Sequence, residues 1–425
     1  MKCEIITIFC KLHNDKLVIM KSKKFHKPAN EIQDLQFFGE FGGVNPSISD
    51  SATYTFMHAE TMLDTFEGKT EGCYLYSRHS HPSGKYLSMA LSRMENTESA
   101  LVTGSGMGAI TSVLLHLLSA GDHVVSSRTV YGGTYAFLKN FLPKLNIDTH
   151  FVDITKPDLV EQAIRPETKL IYTEVLSNPL LEVADIEALS NIARRHKIPL
   201  VVDNTFTPLI FTPANQGADI VIHSLTKFIN GMNDMVGGAV CSSKEFINDM
   251  LNVNDGAAML LGPVMDSLRA AEVLKNLHTL PVRMKKHSEN ALFLSEEMEK
   301  RGIRVKYPGL KSHPQHETFK QMMNPEFGFG GMMTVDLETA DKAVRFMEKL
   351  QEMNVGYLAV SLGYFKTLFN APGKGTSSEI PEEEQAEMGL TDGLVRMSVG
   401  LDFDIQRTLD KILKVYDEVS SVKTG

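Results

Sequence analysis

Ser224-Leu225-Thr226-Lys227 follows directly on the apolar run 220–223, and Asp203-Asn204 follows directly on the apolar run 199–202. In open α/β sheets ligands sit at the carboxyl ends of strands, so two such segments point into one crevice. A lysine there loses charge by desolvation, which favours the neutral amine that condenses with an aldehyde. An aspartate at a neighbouring strand end pairs with a protonated ring nitrogen and keeps a heteroaromatic ring an electron sink. Taken singly, Lys227 also reads as a surface lysine and Asp203 as a helix cap. Their shared position after buried strands favours chemistry.

Three further segments carry polar groups of the same kind. Thr103-Gly104-Ser105-Gly106-Met107-Gly108-Ala109 lies between a β-rich run and an apolar helix with Ile110, Leu114, Leu117 and Leu118. Small residues there let backbone N–H groups approach a phosphate at the helix N-terminus. The segment also satisfies G-x-G-x-x-A, the dinucleotide fingerprint, but the acid at the right spacing, Asp122, precedes the run 123–126 instead of ending it. A single phosphate fits better, which disfavours a nicotinamide-dependent dehydrogenase. Tyr131 follows another strand end, where its ring can stack on a planar cofactor and its hydroxyl can act as acid or base, or where it is simply a core tyrosine. Arg396 interrupts the apolar strand Leu394-Val395-Arg396-Met397-Ser398-Val399. Its partner is a substrate carboxylate, held bidentately, or a structural ion pair. His313 and His316, with no cysteine near them in sequence, read as loop histidines, so no metal site is expected.

These residues need a frame. A chain of 425 residues with 43% apolar content can bury one large core and a smaller one. The runs 100–102, 123–126, 148–152, 170–173, 199–202, 220–223 and 237–241 read as strands between helical periods. Several are apolar on both faces, as a parallel strand covered by helices requires. The expectation is an α/β fold with a large, doubly wound, mostly parallel sheet. A long amphipathic stretch, 268–300, leads into a smaller C-terminal α+β domain with strands near 332–335 and 395–399. Residues 25–54 read as an extended arm that crosses a cleft or a neighbouring subunit. Residues 376–389, with the acidic run Glu382-Glu383-Glu384, read as a solvated loop and helix start near Pro381. The boundaries are 1–64 for the extension and arm, 65–285 for the large domain and 286–425 for the small one.

A net charge of −9 leaves no basic excess, and nucleic acid is an unsuitable partner. Cys3, Cys10, Cys73 and Cys241 form no CxxC pair, so neither a disulfide framework nor a thiolate zinc site is expected, and a reducing cytoplasm is the natural compartment. The apolar run 5–10 is too short for a signal core, no membrane span is expected, and Met20 is a possible translation start.

The stretches FGEFGGVNPSISDSAT, YSRHSHPS, SGMGAI, VYGGTYAFL, VVDNTF, HSLTKFINGMND, YPGLKSHPQH and GLVRMSVG occur in order, and from about Asp34 onward the chain resembles the Cys/Met-metabolism family of fold-type I pyridoxal-phosphate (PLP) enzymes, most of all its plant-type methionine γ-lyases. The resemblance implies that Lys227 holds PLP as a Schiff base and later acts as the base, that Asp203 meets the pyridine nitrogen and that Tyr131 stacks on the ring. Backbone groups of Ser105, Gly106 and Met107, with the hydroxyls of Ser224 and Thr226, hold the phosphate, joined by Tyr76 and Arg78 from a neighbouring subunit. Asn178 lies near the ring hydroxyl, and Arg396 and Ser361 bind the substrate carboxylate. The implied active unit is a homodimer, usually paired into a tetramer.

The implied reaction is γ-elimination of L-methionine, or a close sulfur amino acid, to 2-oxobutanoate, ammonia and a thiol, a place in transsulfuration chemistry. Alternatives are γ-replacement on an O-acylated homoserine, as in cystathionine γ-synthase or O-acetylhomoserine sulfhydrylase, and cystathionine γ-lyase. A binding module without catalysis is a further alternative that the full set of chemical residues disfavours. Two positions depart from relatives: Gly133 stands where the bacterial methionine γ-lyases, unlike the plant-type enzymes, carry cysteine, and Lys366 stands where a glutamate is common.

Overall fold

The computed structural model of the chain describes residues 26–39, 42–373 and 381–421. The apolar run 5–10, the start considered at Met20 and loop residues 376–380 lie outside them. All seven runs read as strands in the first domain form one sheet, from β1 Ser99–Thr103, β2 His123–Ser127, β3 Asp148–Val152, β4 Thr168–Glu174, β5 Leu200–Asp203, β6 Ile220–Ser224 and β7 Gly238–Ser242. The order is β1-β7-β6-β5-β4-β2-β3. Strands β3 through β6 in that order are parallel, and β7 runs antiparallel to β6 and β1.

Alternation along the central strands explains the layering. Val125, Ile171, Val202 and Val221 enter one apolar core, while Val124, Leu170, Val201 and Ile222 enter a second. Neither set of side chains can face water, so helices must cover both faces of the sheet. Helices Pro82–Glu95, Ile186–His196 and Ser267–Leu277 close the first core through Leu87, Leu189 and Leu274. Helix Gly106–Leu117 closes the second through Ile110 and Val113.

The second domain has five strands where two were expected. They are β8 Val305–Lys306, β9 Met332–Asp336, β10 Gly356–Leu358, β11 Thr367–Asn370 and β12 Leu394–Ser398, in the order β10-β11-β12-β9-β8. Residues 268–300 form two helices, Ser267–Leu277 and Leu280–Lys300, rather than one. Pro281 has no N–H to give the Leu277 carbonyl, so the first helix cannot continue. The longer helix joins both domains: Leu280 and Met284 lie in the large domain's core, Leu294 and Met298 in the small domain's.

Two further expectations are corrected. The arm is not extended throughout, because helix Pro28–Gln33 starts on a proline suited to a first turn and buries Pro28 and Ile32. Beyond it Val44 and Met57 are 94% and 87% exposed. The acidic run begins helix Glu382–Met388, yet it is not merely solvated: Glu384 accepts a 2.7 Å hydrogen bond from the buried Tyr135 hydroxyl and a 3.4 Å one from Lys139. Among the described residues no helix is long and apolar enough to cross a membrane.

Candidate active site

Strands β4, β5 and β6 end at Glu174, Asp203 and Ser224, side by side in the sheet, and the chain reaches Lys227 three residues after β6. The turn there is closed by Lys227 N–H to Ser224 O at 3.3 Å and Gly231 N–H to Lys227 O at 2.8 Å. Lys227 Nζ donates to Ser361 Oγ at 3.3 Å. Burial, assisted by the Arg396 charge, pulls the lysine down to about 8. Ser361 comes from the small domain because Gly363, at φ +79°, lies so close that a Cβ would stand 2.5 Å from Phe228 N. Gly363 N–H is in turn held by Ser398 Oγ at 2.9 Å.

Arg396 lies mid-strand in β12, 2% exposed, and donates to Asn178 Oδ1 at 2.8 Å. No carboxylate among the described residues comes within 4.0 Å of it, so the structural ion pair has no partner. Burial lowers its pKa to about 10 against the opposing pull of Glu174 and Tyr131. A buried fork of donors with one neutral partner is a receptor for a planar anion.

Sequence reasoning missed Glu174. It is the strand neighbour of Asp203, accepts from Tyr131 N–H at 2.6 Å with one carboxyl oxygen and from Asn178 N–H at 3.0 Å with the other. It thereby seats two of the expected site residues. Burial, then Asp203, push Glu174 well above the usual carboxylate range. Burial also raises Asp203, but Thr205 N–H at 2.9 Å and the charge of His223 oppose it. Two buried acids this close titrate as a pair, and the donors around them, Tyr131 and Asn178 N–H at Glu174 and Thr205 at Asp203, favour the charge that burial disfavours. The signal was available: Glu174 ends a run apolar on both faces, as Asp203 does.

At the start of helix Gly106–Leu117 the glycines serve packing as well as approach. A Cβ on Gly106 would lie 2.9 Å from Ser224 Cβ, and one on Gly104 would lie 2.7 Å from Val264 O. The helix N-terminus therefore presses against Ser224. Ser105 Oγ caps the helix by accepting from Gly108 N–H at 2.9 Å, which leaves backbone donors of the first turn for a ligand. Thr226 Oγ accepts from Gly237 N–H at 3.0 Å, and Ser224 N–H donates to Thr205 Oγ at 2.8 Å. The Tyr131 ring, 41% exposed, lies over Gly133, where a Cβ would stand 2.6 Å from its Cε1 and 3.3 Å from Met107 Sδ.

Tyr76 and Arg78 are not drawn into this cleft by the single chain. Both are exposed, and the Arg78 guanidinium lies 5.5 Å from the Tyr76 ring centroid. Lys366 lies over the Tyr357 ring at 4.8 Å. His313 and His316 face the carbonyls of Leu181 and Pro308 at 3.0 and 2.8 Å.

The donor set fits PLP on observations independent of any relative. A buried amine is drawn toward neutrality, an acid ends the adjacent strand, and a helix N-terminus with backbone donors left free in its first turn packs beside Ser224.

Comparison with known proteins agrees. Residues 31–413 match the family described as Cys/Met metabolism PLP-dependent enzyme. The chain is 45% identical over 380 residues to methionine γ-lyase of Arabidopsis thaliana, covering 88% of this chain and 86% of that protein. It is 37% identical over 350 residues to cystathionine γ-lyase of Bacillus subtilis, covering 81% and 89%. Among solved structures it resembles cystathionine γ-lyase of Lactobacillus plantarum complexed with L-serine, with a TM-score of 0.82 at 28% identity, covering 92% of this chain and 99% of that one.

Proposed function

Because the chain belongs to the Cys/Met metabolism PLP-dependent enzymes, we propose that it is a carbon–sulfur lyase that, with water, converts L-methionine or a close sulfur amino acid to 2-oxobutanoate, ammonia and a thiol. PLP, when bound, supplies the aldehyde that takes up the substrate amine and the ring that withdraws electrons from its Cα. The observation that carries an amino-acid substrate is Arg396, buried in β12 with Asn178 as its hydrogen-bond partner and no carboxylate of the described residues within 4.0 Å. The substrate α-carboxylate completes it, with Ser361 Oγ as second donor.

Lys227 would hold PLP, and its Nζ, when free, takes the proton from the substrate Cα. Its pKa near 8 suits both roles, since an amine poised near working pH gains and loses a proton readily. Asp203 faces the ring nitrogen, while Glu174 fixes the backbone of Tyr131 and Asn178. Backbone N–H groups of Ser105, Gly106 and Met107, with Ser224 and Thr226, hold the phosphate. Once a β-proton is lost the γ-substituent can leave, and the Tyr131 hydroxyl protonates the departing thiolate.

Tyr76 and Arg78 reach the phosphate of a neighbouring subunit, so the active unit is a homodimer, paired into a tetramer. Their exposure, with that of Val44 and Met57, supports this reading. The domain limits are 1–64, 65–285 and 286–425, the enzyme acts in the cytoplasm, and its chemistry belongs with transsulfuration. The test is 2-oxobutanoate release from L-methionine as sole amino acid. Release supports γ-elimination. No release from protein that binds PLP overturns it in favour of γ-replacement on an O-acylated homoserine, and release from cystathionine alone marks a cystathionine γ-lyase.

A further inference from the structure

Helix Leu280–Lys300 buries five polar residues, and three of them, Arg283, His287 and Asn290, at 7%, 0% and 1% exposure, reach beyond the helix to backbone carbonyls. Their spacing of four and three places them on one face of the helix. Each grips backbone rather than another side chain's charge. Arg283 donates to the carbonyls of Phe228 and, at 2.8 Å, Ile229, the two residues after Lys227. A further bond to Asn276 O at 2.9 Å and one from Nε to Thr279 Oγ at 3.1 Å complete its fork. His287 packs edge-on against the Phe228 ring, centroids 5.1 Å apart, and bonds Val399 O at 2.6 Å, one residue beyond β12. Asn290 donates to Gly400 O at 2.9 Å and Asp402 O at 2.8 Å.

One helix face thus holds the turn that carries Lys227 at one end and the strand end that carries Arg396 at the other. We infer that Arg283, His287 and Asn290 are positioning residues that fix the register between Lys227 and Arg396, and with it the distance between the sites for the substrate's amine and its carboxylate. The inference rests on the reading of Arg396 as the carboxylate site.

The packing around the stripe leaves little freedom. Gly331, just before β9, accepts the Val399 N–H at 2.8 Å and has little room for a side chain: a Cβ would lie 3.0 Å from His287 Cβ and 3.4 Å from the Phe228 ring. Burial takes His287 down to about 4, so it is neutral and its Nδ1 carries the proton given to Val399 O. An asparagine places an amide N–H where Nδ1 stands, whereas leucine fills the space and donates nothing.

The test uses the PLP-loaded enzyme and two probes that lack a γ leaving group, L-norleucine and pentylamine, which differ by the α-carboxylate. Binding is read as the change in the visible spectrum of the bound cofactor. His287→Leu should weaken norleucine by roughly tenfold, the upper end of what one neutral hydrogen bond supplies, and change pentylamine by less than about twofold. His287→Asn should bring norleucine back to within about threefold of the parent. Asn290→Ala tests the far end of the stripe and should act in the same sense, which keeps the inference open to test if His287→Leu fails to fold. Equal weakening of both probes, or none of either, overturns the positioning role. Equal affinity of the parent protein for the two probes would instead remove Arg396 as the carboxylate site, and the inference with it.

Discussion

Replacing Arg396 by methionine should stabilise the substrate-free protein and weaken its grip on α-amino acids, two effects of opposite sign from one change. The side chain is 2% exposed and burial brings it to about 10. A base whose folded-state pKa lies below its unfolded value costs stability at every pH below the folded value, so at pH 7.5 the cost is present in full. The drop corresponds to roughly 3 kcal/mol at 1.36 kcal/mol per decade. Losing the bond to Asn178 returns about 1–2 kcal/mol of that, since the amide oxygen is left unpaired. The net gain is about 1–2 kcal/mol, enough to raise the thermal midpoint by about a degree or more in a protein of this size. With substrate, the lost arginine leaves a buried carboxylate unpaired, which costs about 3–4 kcal/mol and raises KM by roughly a hundredfold to a thousandfold. Scanning calorimetry of the PLP-loaded enzyme and steady-state kinetics on L-methionine read the two effects. A lower midpoint with KM unchanged would show that Arg396 is a structural residue, and the argument from its missing carboxylate would fall.

The remaining predictions concern the cofactor side. The rate at which cofactor-free protein captures PLP should rise with pH through a midpoint near 8, because the neutral amine of Lys227 is the reactive form below and above it in increasing proportion; stopped-flow absorbance measures it, and a rate that climbs only above pH 10 contradicts the lowered pKa. Gly106→Ala should weaken PLP binding by about tenfold or more in equilibrium titration, since its Cβ would stand 2.9 Å from Ser224 Cβ; unchanged affinity would mean that the phosphate lies elsewhere. Glu174→Gln turns one acceptor into a donor facing the N–H of Tyr131 or Asn178. It should lower kcat by roughly tenfold to a hundredfold with PLP retained, and an unaltered kcat would show that those two backbone bonds do not govern the chemistry.

The residues legible in the sequence share one property: they interrupt or directly follow a run that is apolar on both faces. Lys227, Asp203 and Arg396 stand out because burial there is expensive for a charge. The large sheet was legible for the same reason, as Val124 and Val125, or Val201 and Val202, leave no face for water. Glu174 obeys the rule and was overlooked because Val175 and Leu176 continue the apolar run past it. Strands β8 and β10 span only two and three residues, and β10 exposes two of its three, so no alternation is there to read. The stripe Arg283, His287 and Asn290 was hidden because its partners are backbone carbonyls distant in the chain, which side-chain spacing does not reveal. Ser361, Asn178, Tyr76 and Arg78 came from family resemblance alone. The structure places Ser361 against Lys227 and Asn178 against Arg396, and leaves Tyr76 and Arg78 on the surface.

The central claim, that Lys227 is the amine that takes PLP, is tested most directly by reducing the PLP-loaded enzyme with borohydride and mapping the modified peptide by mass spectrometry. The pyridoxyl group should be found on the peptide containing Lys227, with the visible band and the modification both lost in Lys227→Ala. A pyridoxyl group on another lysine, or a Lys227→Ala protein that keeps the band and its turnover, would contradict the account.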